Sequence, residues 1–327
     1  GSVIAVRYPP TTGAYAGNSS AVEVVVSRQQ ALLLANVFLS SQTVAARAVA
    51  KMGTPGDYCV LSLDPHQGVA VDVTGSATIN LANCGVVANS DSAQAISVSG
   101  SADLYAKYVQ AVGGYDVSGS GNMVVDSVIT GASAVADPYA SLAIPSYGGC
   151  TKNNYTSHGT ETLSPGVYCG GMSFNANTNV TLSPGTYIVK GSTFKVNGQA
   201  TITGSGVTII LTGSSGNYAQ VDINGGATVN LSAPTSGTYA GVTFFQDHNA
   251  PSGGDNKFNG GANMQVNGVM YFPNQEVDFS GNNSTAANAC ARIVARLVKF
   301  TGNADMGDKC TGTGVASGAA TPPTLVE

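Results

Sequence analysis

The chain has 327 residues, of which only 9% are charged and 42 are glycine, and its formal net charge is -5. An average soluble domain is roughly a quarter charged, so helices lined with solvated Lys and Glu are excluded, whereas short strands faced with Ser, Thr and Asn need no such charge. With no basic stripe, a phosphate-binding surface is excluded too, because nucleic-acid affinity is largely counterion release by clustered Lys and Arg.

In chain order, Gly1 and Ser2 read as a leftover of cloning. Residues 3–52 carry no repeat and predict a small α+β segment. Ala21 to Ser27 is a strand, Ser27 with Gln30 makes a capping box opening a short helix from Ala31 to Phe38, and Val44 to Ala50 is a second strand. Gly53, Pro55 and Gly56 mark a boundary. A β-helix is expected over 53–310, and residues 311–327, small, polar and Pro-containing, are expected to be a flexible tail. No stretch approaches the roughly 20 apolar residues of a membrane-spanning helix.

The repeat is a phrase running apolar, any residue, Gly, small or polar, Ala or Asn, polar, apolar. It starts at Val73-Thr74-Gly75-Ser76-Ala77-Thr78-Ile79 and returns at Val98-Ser99-Gly100, Val117-Ser118-Gly119, Val196-Asn197-Gly198, Ile223-Asn224-Gly225, Phe258-Asn259-Gly260, Phe279-Ser280-Gly281 and Phe300-Thr301-Gly302. Gly75, Gly100 and Gly119 are 25 and 19 apart, and Gly260, Gly281 and Gly302 are 21 and 21 apart, a solenoid period. A second phrase, Thr162-Leu163-Ser164-Pro165-Gly166-Val167-Tyr168, recurs 19 residues later at Thr181 to Tyr187 as strand, Pro-Gly turn, strand. A short alternating strand cannot bury its inward face alone, but coils stacked at about 4.8 Å make a continuous interior. The predicted fold is therefore all-β, a parallel β-helix, right-handed on general chirality grounds. The N-terminal segment is expected to cap one end, because an uncapped end exposes strand edges.

Six cysteines occur with no Cys-x-x-Cys pair and no zinc-type His spacing, so no metal and no cofactor are expected. Residues one coil apart lie within the roughly 4.4–6.8 Å that a disulfide spans. Of fifteen pairings, coil length selects Cys59–Cys84, Cys150–Cys169 and Cys290–Cys310, separated by 25, 19 and 20 residues. Paired cysteines imply export.

Tyr8-Pro9-Pro10, Gly13-Ala14-Tyr15-Ala16-Gly17, Val22-Glu23-Val24, the Leu-rich stretch and Ala46-Arg47-Ala48-Val49-Ala50, followed by the Gly-Ser-Ala and Thr-Leu-Ser-Pro-Gly-x-Tyr phrases, together resemble TadG-like proteins of the tight-adherence (Tad/Flp) pilus loci. The resemblance runs over nearly the whole chain. It implies an exported, envelope-associated component of Flp pilus biogenesis or adhesion, at the periplasm or cell surface, with pilus or envelope proteins or a surface glycan as partners. Such proteins usually begin with a membrane-spanning helix that this sequence lacks, which implies an anchor removed from the chain.

Candidate chemistry concentrates in one loop. Asp247 and His248, with Asp255, Asn256 and Lys257, are the densest ionisable residues and interrupt the repeat, the usual place for a ligand-binding loop or for acid–base work on a polysaccharide. The bland alternative is that Asp247 and His248 cap a loop and Lys257 is solvated. Asp116-Val117-Ser118-Gly119-Ser120 matches a metal-ion-dependent adhesion pattern but falls inside the repeat phrase. Gly253-Gly254-Asp255 resembles one fragment of a calcium-binding repeat, occurring once. His66 and His158 read as loop residues, Arg292 to Phe300 as a solvated basic rung, and Tyr105, Tyr108, Tyr115, Tyr139, Tyr147 and Tyr155 as either core or stacking surface. Three functions compete: a non-catalytic structural or adhesive pilus component, favoured here; a polysaccharide lyase or hydrolase; and an ice- or glycan-binding solenoid. For ice, Thr201-Ile202-Thr203 stands nearly isolated.

Overall fold

A computed structural model of the chain describes residues 2–18, 21–30, 42–51, 57–260, 264–281, 283–284, 290–307, 309–315 and 324–327, and among these every helix or strand element is a strand. The chain divides into two units, residues 1–56 with 318–327, and residues 57–317.

The first unit is an antiparallel sheet in the order Ser2–Arg7, Ala21–Gln30, Gln42–Lys51, Thr324–Leu325. Two expectations change here. Ser27 and Gln30 do not cap a helix: Ala21–Gln30 pairs along its whole length with Gln42–Lys51, so the ladder engages the backbone there, while residues 31–41, where the helix was expected, lie outside the described residues. The end of the supposed tail is also not loose. Thr324 and Leu325 occupy the otherwise open edge of Gln42–Lys51, and Val326 N–H donates to Val49 O at 2.8 Å.

The second unit is a parallel β-solenoid. A representative coil runs Gly185–Lys190, Thr193–Val196, Thr201–Ser205, one strand per wall, and each strand pairs in parallel with the coil before and the coil after. The repeated phrases have structural causes. Gly100 and Gly119 have φ of 72° and 69°, and a Cβ there would meet the carbonyl oxygen of the glycine one coil away at 2.8 and 2.9 Å, so the corner admits only glycine. The Ala that follows in the phrase, at Ala77, Ala102, Ala200 and Ala227, is buried. In the second phrase the tyrosine closes its own turn: the Tyr168 hydroxyl donates to Ser164 O at 2.7 Å, and the Tyr187 hydroxyl to Ser183 O at 2.9 Å and to Leu163 O, one coil away, at 2.8 Å. Their rings stack at 5.9 Å. The interior then fills with aromatic rungs, Phe258, Phe279 and Phe300 lying in register with centroids 5.6 and 6.1 Å apart.

Coils do not stack in the order of the sequence. Ala291–Phe300, the last long strand, pairs in parallel with Tyr58–Ser62 and Val71–Val73, the first strands of the unit. From this seam residues 58–129 stack one way and finish at Asn122–Ile129, while the rest stacks the other way and finishes at Lys152–Thr156 with Thr160–Leu163. Tyr58–Ser62, the first strand of this unit, therefore has a strand on each side.

Residues 130–151 join the two ends and travel back along the outside of one wall. Val135 exchanges two hydrogen bonds with the Asn89 amide at 2.8 Å each, Ala143 O accepts from the Tyr239 hydroxyl at 2.7 Å, and Cys150 is bonded to Cys169. This connector covers an outward apolar column, Ile188, Ile210, Phe245, Tyr271, Val294 and Leu61, in register across successive coils. A wall buried on both faces explains why Val207–Leu211 and Val242–Phe245 are buried along their whole length without alternation, their one polar residue each, Thr208 and Thr243, donating to Val242 O and Asn267 O.

Each disulfide bridges neighbouring coils or ties the connector to one. Cα separations are 5.6 Å for Cys59–Cys84, 5.7 Å for Cys150–Cys169 and 4.7 Å for Cys290–Cys310. Three disulfides fit an oxidising, exported environment. Among the described residues no helix is long and apolar enough to cross a membrane.

Candidate functional site

The five loop residues separate into two groups on different walls. Strand Val242–Gln246 ends in a tight turn that Asp247 organises. Its Oδ1 accepts from Asn249 N–H at 2.8 Å and from the Asn249 amide at 3.0 Å, and its Oδ2 accepts from the Thr212 hydroxyl at 2.7 Å. Asp247 is only 5% exposed, so its carboxylate is committed to holding coils together. His248 lies against Phe245 and Tyr271 with ring centroids 5.5 Å from each. The Tyr271 hydroxyl donates to Asp137 at 2.6 Å, which leaves its oxygen to accept from His248 Nε2–H at 2.8 Å. Burial first, and Asp137 second, push the Tyr271 hydroxyl well above its usual range. Asp137 sits on the connector, and nothing near Asp247 in sequence points to it.

Asp255–Gly260 belongs to another wall. Asn256 turns inward: its Oδ1 accepts from Val221 N–H at 3.0 Å and its amide donates to Gln275 Oε1 at 3.1 Å and Glu276 O at 3.2 Å. Gln275 Oε1 also accepts from Gln246 at 2.6 Å, and the Gln275 amide donates to Pro251 O at 2.9 Å, so Gln275 links the two groups. Asp255 and Lys257 face outward, with a 3.5 Å ion pair.

Lys257 is part of a column invisible in the linear sequence. Successive rungs place Lys195, Asp222, Lys257, Asp278, Lys299 and Asp72 side by side, alternating in sign and continuing across the seam. Lys195 and Asp222 are 3.6 Å apart. Burial raises the carboxyls of Asp72 and Asp278 against the pull of Lys299. Glu276, in register with Asp255, is raised by burial and then by Asp255. These carboxylates lie along one outer wall, and Asp247 is not among them.

A third wall carries two columns of small polar residues. Thr160, Asn179, Thr201 and Thr228 form one, and Thr162, Thr181, Thr203 and Asn230 the other, on four successive rungs. Thr201-Ile202-Thr203 is therefore not isolated in space; its neighbours come from coils about 20 to 30 residues away in the chain.

The basic rung is corrected. Arg292 is 3% exposed, pairs with Asp57 at 2.8 Å and lies 5.5 Å from the Tyr58 ring centroid, and Arg296 pairs with Asp64 at 2.8 Å. His66 is exposed and contacts Asp91 at 2.9 Å; the His158 backbone N–H donates to Glu161 at 2.9 Å. Tyr108 and Tyr155 are core, whereas Tyr105 and Tyr115 are exposed. Asp116 lies on an outer column beside Ser97, and Gly119 serves the corner. Among the described residues, no three His, Cys, Asp or Glu side chains are grouped to hold a metal ion. Comparison with protein-family models, characterised proteins and solved structures yields no match.

Proposed function

We propose that this chain is a non-catalytic structural or adhesive component of a bacterial envelope, exported and working with the Tad/Flp pilus system. The supporting observation is that the ionisable residues most suggestive of chemistry, Asp247 and His248, are spent on inter-coil and connector bonds within a disulfide-stapled stack. The order of the N-terminal phrases supplies the link to the pilus loci. The test is deletion of the gene in its native host together with cell fractionation and pilus purification. Loss of surface adherence and recovery of the chain with envelope or pilus fractions support the proposal; normal adherence with the chain free in the medium overturns it.

A second reading, an ice- or glycan-binding solenoid, rests on the two Thr and Asn columns. They present hydroxyls, with one amide in each column, about 4.8 Å apart between rungs and about 6.6 Å apart along a strand, a lattice suited to a repeating hydroxylated surface. Polysaccharide pull-down and ice-growth inhibition with the purified chain, lost in Thr181→Lys with Thr203→Lys, would favour it. Turnover of a polysaccharide that disappears in Glu276→Gln would instead establish an enzyme.

A further inference from the structure

Among the described residues of the solenoid, six large apolar side chains are exposed: Tyr105, Tyr115, Val117, Val124, Val128 and Ile129. All six belong to the last two coils at one end of the stack. Three of them terminate interior columns. Ile96, Val98 and Val109 are 0%, 0% and 1% exposed, and their next rungs Tyr115, Val117 and Val128 are 42%, 39% and 39% exposed. Within the solenoid unit the interior columns stop at these side chains. Among the described residues, strand Asn122–Ile129 pairs only with Asp103–Ala111, which leaves its outer backbone edge open, and Asp126 is its sole charge. A β-prone, weakly charged edge strand is a template for another strand.

The opposite end is built differently. Glu161 takes the place in the interior column of Val180, Ile202 and Val229. It accepts from the Tyr155 hydroxyl at 2.8 Å, and the Lys152 ammonium lies 5.0 Å from the Tyr155 ring centroid. Tyr155 and Leu163 are 7% and 2% exposed. An inward-pointing charge is a device that blocks edge pairing.

We infer that the open end is an interface with a second copy of this chain, two open ends meeting about a two-fold axis with Asn122–Ile129 antiparallel to its equivalent. Head-to-tail stacking would bury Glu161 and Lys152 against the apolar open end, at the cost of desolvating charge, whereas like against like joins apolar to apolar and closes the assembly at two. This inference stands apart from the envelope role proposed above.

The test is sedimentation and light scattering of the full chain over a concentration series. A dimer is expected, with Val117→Lys plus Val128→Lys weakening association by roughly a hundredfold or more, since each lysine would be buried unpaired. Because the native cysteines are all bonded, Ser127→Cys adds one free thiol. Mild oxidation should then give a covalent dimer, while Thr162→Cys at the closed end gives none. A monomer at every concentration with no Ser127→Cys cross-link, growth into open-ended filaments, or a dimer indifferent to the lysines would each overturn the inference.

Discussion

Tyr271 shows how single side chains serve this fold. Its ring stacks on Phe245 at 5.1 Å and meets Tyr139 of the connector at 5.4 Å, while its hydroxyl joins Asp137 to His248. Tyr271→Phe keeps the ring and removes the bridge, leaving Asp137 short of a donor in a half-buried place. The expected loss is about 1–3 kcal/mol, read as a lower urea midpoint at constant m, with faster amide exchange over 132–147. An unchanged midpoint would mean that the hydroxyl does not hold the connector. Asp247 and His248 stood out in the sequence as a polar interruption of the repeat. Thr212, Tyr271 and Asp137 did not, because partners contributed by other coils or by the connector leave no local pattern.

At the scale of elements, the N-terminal sheet and the charged wall of the solenoid hold their carboxyls in opposite ways. In the N-terminal sheet the buried Glu23 carboxylate is pulled down to about 2, chiefly by Arg47, which donates to it at 2.5 Å, with Thr11, Thr12 and Arg7 adding to this against the cost of burial. Arg47 also pairs with Glu327, on the segment that adds the last strand. A lowered carboxyl stabilises above its ordinary value, and that contribution is lost as pH falls from 4.5 towards about 2. Asp72, Glu276 and Asp278 are raised, burial being the first cause. Their protonation favours the folded state, so their contribution is present at low pH and lost as pH rises through the raised values. Acid should therefore loosen strands 21–30 and 42–51 while sparing 255–260 and 276–281. Exchange corrected for intrinsic rates, followed from pH 4.5 to 2, checks this; equal loosening in both units would contradict it.

For the whole molecule the seam is decisive. Lys299 and Asp72 are rung neighbours although 227 residues apart, so closing the seam costs far more loop entropy than adding a consecutive coil. Cys59–Cys84 and Cys290–Cys310 flank it, one fastening the first coils of the unit and one the last. Replacing Cys59 and Cys84 by Ser is expected to cost about 2–4 kcal/mol. If the seam is the weak plane, exchange should rise first at 58–62 and 291–300, whereas fraying from 122–129 alone would show that the ends govern stability.

What the amino-acid sequence by itself determined is the coil. The 19- to 25-residue period, the glycine corners, the tyrosine-closed Pro-Gly turns and the sequential cysteine intervals are relations between neighbouring coils, and so lie within about one period of each other along the chain. What only the tertiary structure decided is the order of stacking. A parallel edge accepts any coil of the same cross-section, and nothing within one period says which coil will come. That choice joins 58–73 to 291–300, sends the connector down one wall, completes the alternating charge column across the seam, and leaves 122–129 as the open end.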